Sequence, residues 1–212
     1  MRQIIFVKEG RGKIIKFQTG SAAVLLAAAA FYFVPMELLT GYILACLFHE
    51  LCHLAAMKVC KVEIHSFRIE LTGLVIEHGK MKSPVTELIS VLSGPAGGLV
   101  FAFACSRVST VTEIRWLEIC AAFSLILSIF NLLPCLPLDG GRAVNCLLQL
   151  IADERDADKI SRALSYLAAL ILAACGFLTW SKGYGCGTAI AGCCLLFFNL
   201  FEEGIVKRGI LR

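Results

Sequence analysis

Two histidines and a glutamate stand in the order His49-Glu50-Leu51-Cys52-His53. On a helix, which turns about 100° per residue, His49 and His53 point along one face about one turn apart. Both imidazoles can then bind one metal ion, and Glu50 beside them can take a proton from a metal-bound water. The chemistry on offer is metal-assisted hydrolysis. The plainer alternative is a helix end carrying two interfacial histidines. The flanks weigh against it, because about twenty mostly apolar residues surround the motif, and polar groups at membrane depth are costly and usually functional.

A catalytic zinc normally takes three protein ligands plus water, so two histidines are too few. The natural third ligand is Asp139, in the stretch Asn131-Leu-Leu-Pro134-Cys-Leu-Pro137-Leu-Asp139-Gly140-Gly141-Arg142. Two prolines and two glycines there forbid a continuous helix. Taken alone, Asp139 reads as a turn residue before the glycine pair. The topology below puts it in the same half of the membrane as the histidines. One Zn²⁺ per chain, held by two neutral imidazoles and one carboxylate, keeps a net positive charge and lowers the pKa of its water towards ~7. Glu50 can accept that proton and pass it to a leaving amine.

The elements that must position these residues are mostly apolar. Of 212 residues, 58% are hydrophobic and 17% charged, with a mean hydropathy of +0.79. A soluble domain would sit nearer a quarter charged. The chain reads as a single all-α polytopic membrane domain, residues 1–212, with six transmembrane helices and a small membrane-associated β-hairpin or sheet. The spans fall at about 17–34, 36–57, 86–106, 113–133, 163–180 and 186–201. A hairpin is expected at 1–18, around a Gly-rich turn. A second is expected at 60–83, where Phe67, Ile69 and Leu71 alternate with polar residues. Small residues in Ser93-Gly94-Pro95-Ala96-Gly97-Gly98 let helices approach closely. Eleven cysteines, most in apolar helices, act as small hydrophobes rather than a disulfide framework.

Charge sets the expected orientation. Of the 20 Lys and Arg, 17 fall in the two tails, the 58–82 region and the 142–162 region. Arg107, Arg115 and Lys182 fall on the other side. The crowded side should be cytoplasmic, so a multi-pass protein of the cell membrane has both termini and its active site facing the cytoplasm. The net charge of +4 forms no single patch, and no nucleic-acid partner is expected.

Together, His49-Glu-Leu-Cys-His53, Ser93-Gly-Pro95 and Asn131-x-x-Pro-x-x-Pro137-x-Asp139-Gly-Gly resemble the site-2 protease family of intramembrane zinc metalloproteases. Six spans, the short N-terminal segment and the Phe201-Glu202-Glu203 ending look most like its sporulation branch, which cleaves a membrane-associated sigma-factor precursor. The resemblance implies a zinc metalloendopeptidase with His49, His53 and Asp139 as ligands and Glu50 as the catalytic base. It also implies that Asn131 and Pro137 lie close to the substrate backbone. The strand Phe67–Leu71 would offer an edge on which an unwound substrate pairs. The implied partners are a membrane-associated protein substrate, the lipid bilayer and a regulatory membrane protein. The chain departs from the pattern in two ways. Cys52 stands where a glycine is common, and beside zinc its thiol could sense oxidation. Neither a PDZ insertion nor a C-terminal nucleotide-sensing domain is seen before the end at Arg212. The competing class, a metal transporter or an inactive membrane scaffold, fits less well. A transporter should carry ligands at several depths, and Glu50 would be superfluous in it.

Overall fold

The computed structural model describes the backbone of residues 3–8, 14–19, 31–62, 64–70, 73–78, 83–183 and 185–207, and side chains within 31–62, 83–183 and 185–200. Six helices are named here: α1 (Met36–Val59), α2 (Pro84–Thr112), α3 (Arg115–Asn131), α4 (Asp139–Leu148), α5 (Glu154–Ser181) and α6 (Gly187–Lys207). Four strands, β1 (Gln3–Lys8), β2 (Ile14–Thr19), β3 (Ile64–Glu70) and β4 (Gly73–His78), form one sheet in the order β1-β2-β3-β4.

Three described helices, α1, α2 and α5, are long and apolar enough to cross a membrane, and α6 contributes a shorter apolar stretch, Gly187–Leu200. At 17 residues, α3 is about 25 Å long and falls short of the ~20 residues a full span needs. The expected span at 17–34 lies largely outside the described residues; residues 17–19 belong to β2 and 31–33 are helical. α5 begins nine residues before the expected 163. Its polar first turns carry Glu154 and Asp156, which favour the positive end of a helix.

Burial follows the logic of a lipid solvent. Inside are small or hydroxylic residues: Ala45, Cys120, Ser90, Ser124, Ser128, Ser165 and Ala169. Outside are large apolar ones, such as Val100, Phe103, Leu178 and Phe197. A soluble protein rarely exposes so much apolar surface, whereas membrane helices meet through small residues and turn bulky ones to lipid. These features point to a membrane protein.

Helices α1, α2 and α3 pack on one another, α4 lies on α2, and α5 pairs with α6 and reaches the rest chiefly through α4. The ends of α1 and α2 are firmly set. Lys61, with φ +55°, ends α1, and Lys61 N–H and Val62 N–H donate to the carbonyls of Lys58 and Met57, a Schellman closure. Ser83 caps α2 by accepting from Thr86 N–H, with Pro84 in the first turn.

One strand expectation changes. β3 pairs parallel with β2 on one side and antiparallel with β4 on the other, with Ile69 opposite both Thr19 and Leu74. β3 is therefore flanked on both sides, with Phe67, Arg68 and Ile69 each paired to β2 and to β4. Among the described residues, the open edges are those of β1 and β4.

Candidate metal centre

On α1 the buried residues are Gly41, Ala45, His49, His53 and Met57. They recur every fourth position, so one stripe of the helix faces its neighbours. The stripe changes character along its length. At Gly41 an added Cβ would lie 2.7 Å from Ile119 Cγ2 of α3, so the helices touch. One and two turns beyond Ala45, the stripe carries the two imidazoles instead.

Asp139 comes from the other side. α3 stops at Asn131, residues 132–138 turn the chain, and Asp139 opens α4. The turn explains both glycines that follow. A Cβ on Gly140 would meet Leu132 O at 2.2 Å, and one on Gly141 would meet Cys135 C at 2.5 Å. Only hydrogen fits at either position, so α4 packs directly on the loop that precedes it.

The three side chains converge. His49 Nε2 and His53 Nε2 are 3.1 Å apart, and they lie 3.1 and 3.2 Å from the same oxygen, Asp139 Oδ2. The imidazoles are buried and Asp139 nearly so. One carboxylate oxygen thus faces both imidazole nitrogens.

The donor set suits zinc. His53 Nδ1 donates to Ser90 O at 2.7 Å, which leaves a neutral ring's lone pair on Nε2. That lone pair faces a carboxylate oxygen and a second imidazole nitrogen. Three such atoms repel unless something positive sits among them, and a metal ion serves all three at once. Tetrahedral zinc with bonds of about 2.0–2.1 Å holds its ligand atoms roughly 3.3 Å apart, close to the separations found. His49 Nδ1 is buried with no hydrogen-bond partner among the described residues, so His49 lacks the outer support that His53 has. Glu50 is half-buried and within electrostatic reach of His53, His49 and Asp139.

Two contributors, Ser90 and Gly94, were not legible as site residues. Ser90 O orients His53. A Cβ on Gly94 would lie 2.2 Å from His53 Nε2, so the glycine makes room for the ring. The sequence signal is the Ser93-Gly94-Pro95 run, whose small residues suit close helix packing. The packing is real, but here it is against the His53 ring.

The other expected residues sit differently. Asn131 is half-buried at the end of α3, and its amide donates to Leu127 O at 3.1 Å, a bond within its own helix. Pro137 is exposed in the loop. Neither belongs to the group able to hold a metal. Cys52 also lies outside that group; it packs on α2, where a Cβ at Gly97 would fall 2.2 Å from its sulfur.

Residues 104–175 match the model of peptidase family M50. That match covers about a third of the chain. The M50 match takes in Asp139 and its loop but not the histidine motif. Over 151 residues the chain is 30% identical to the protein named "Putative zinc metalloprotease Rip3" in two strains of Mycobacterium tuberculosis. That alignment covers 64% of this chain and 37% of Rip3, so the chain spans well under half the length of these relatives. The fold is that of the Site-2 Protease from Methanocaldococcus jannaschii. The two superpose with a TM-score of 0.67 at 21% identity, over 94% of this chain and 95% of that one. The His49, His53 and Asp139 group has the donor set and spacing that a zinc ion takes.

Proposed function

We propose that the protein is a membrane zinc metalloendopeptidase that hydrolyses a peptide bond within or near a membrane-spanning segment of its substrate. The observation that carries this reading is the convergence of His49, His53 and Asp139 on one point, from two elements far apart in sequence, with Glu50 beside them. In this reading His49, His53 and Asp139 hold one zinc ion per chain. Zinc there supplies Lewis acidity, enough to bring the pKa of a water towards ~7. Glu50 takes the proton from the attacking water and delivers it to the leaving amine nitrogen. Ser90 and Gly94 hold the His53 ring in place, and burial keeps bulk solvent from the ligands.

A substrate helix must unwind before attack, since its own hydrogen bonds shield the scissile bond, and lipid offers its freed groups no partners. Asn131 can both donate and accept; it ends α3 just before the loop that carries Pro137 towards Asp139, and the two residues would hold an extended backbone. The open edge of β4 is a second place for such a strand to pair. The 17-to-3 charge distribution supports a cytoplasmic active site in the cell membrane. The motif pattern and the Phe201-Glu202-Glu203 ending favour the sporulation branch, with a membrane-tethered sigma-factor precursor as substrate and a membrane protein as regulator. Co-expression with membrane-tethered precursors tests the activity. The wild type should process one of them, and Glu50→Gln should be slower by about 10²–10⁴-fold while keeping its zinc. Equal processing by Glu50→Gln would rule out Glu50 as the base.

A further inference from the structure

The loop that presents Asp139 is held from behind by a buried polar cluster that the chemistry above does not use. Ser165 on α5 and Asn199 on α6 are almost wholly buried. Both bond to one loop residue, Leu136. Leu136 N–H donates to Ser165 Oγ at 2.7 Å, and Asn199 Nδ2 donates to Leu136 O at 3.0 Å. Ser165 Oγ in turn donates to Asn199 Oδ1 at 2.9 Å. The three groups close a ring, so every partner is satisfied inside the protein. Around it Cys135, Ala169 and Leu195 form an apolar core. Leu136 lies three residues before Asp139, and the Gly141 contact stacks α4 on the same backbone.

We infer that Ser165 and Asn199 are positioning residues for the metal centre: they fix the Leu136 peptide groups and thereby the place of the Asp139 carboxylate. This rests on the metal reading above. α5 and α6 otherwise meet the rest chiefly through α4, so this cluster makes them a backing for the ligand loop. A merely structural pair would stabilise the fold without changing the metal.

The test uses the purified full chain, with zinc affinity measured by chelator competition, the visible spectrum of the Co²⁺-loaded protein, and thermal unfolding. Ser165→Ala and Asn199→Ala should each weaken zinc binding about tenfold or more and shift the cobalt bands. Ser124→Ala is the control. It removes a buried hydroxyl that donates to Gly98 O at 2.8 Å, and should lower stability with zinc affinity within about twofold of wild type. Ser165→Ala retains the Asn199 bond to Leu136 O, so it carries the test if Asn199→Ala fails to fold. Wild-type affinity and cobalt spectrum in Ser165→Ala, with only its unfolding temperature lowered, would overturn the inference. Failure of the wild type itself to bind zinc would instead overturn the metal reading.

Discussion

Adding one methyl group at Gly94 should empty the metal centre. A Cβ there would lie 2.2 Å from His53 Nε2, 2.5 Å from Cε1 and 2.7 Å from Cδ2. Ordinary contact begins at 3.4 Å, so the ring must retreat by about 1.2 Å or the helices must part. The ring is not free to retreat, because its Nδ1 is tied to Ser90 O at 2.7 Å. Functional constellations tolerate displacements of about 0.5 Å. Losing an outer support typically costs 10–100-fold in metal affinity. Displacing the ligand atom itself should reach the upper end of that range. Gly94→Ala should therefore bind zinc at least ~100-fold more weakly, about 2.8 kcal/mol. Chelator competition on purified protein measures this directly. Gly97→Ala separates ligand displacement from helix separation, since its Cβ would strike Cys52 Sγ at 2.2 Å instead. That variant should unfold more easily but keep its zinc within a few-fold. Wild-type zinc affinity in Gly94→Ala, or equal zinc loss in Gly97→Ala, would refute the argument.

Three further outcomes follow from the site and the charge pattern. Asp139→Ala should lose bound zinc on metal analysis, and unchanged zinc content would remove Asp139 from the ligand set. Asn131→Ala should keep zinc and fold yet cleave a true substrate far more slowly; a wild-type rate would confine Asn131 to its bond with Leu127 O. Single cysteines added near residues 80 and 155, in a background cleared of reactive thiols, should resist an impermeant reagent applied outside the cell. Labelling of either from outside would reverse the orientation.

The candidate ligand residues stood out in the sequence because metal chemistry dictates residue type and spacing. Two histidines four apart share a helix face whatever surrounds them, and Asp139 sits in a stretch too rich in proline and glycine to be ordinary helix. What holds the ligands was less visible. Ser90 contributes a backbone carbonyl, which every residue possesses, so no residue type could mark it. Gly94 acts by having no side chain, and a glycine needed by an imidazole looks the same as one needed by a neighbouring helix. Helix α5 hid its start for another reason. Composition marks where a helix is apolar, and its first turns are polar and acidic while still helical.

Strand β3 shows where local pattern stops informing. Alternation identifies which face a residue takes, because successive side chains point to opposite sides. It carries no information on what lies beside the strand. That depends on β2, fifty residues earlier, whose Phe17 sits opposite Phe67 while Ile76 of β4 sits opposite it on the other flank. An edge is a property of the assembled sheet, and among the described residues it falls at β4 and β1. The same holds for Ser165 and Asn199. Each is unremarkable in its own apolar helix, and their significance arises only where two helices and the ligand loop meet at Leu136.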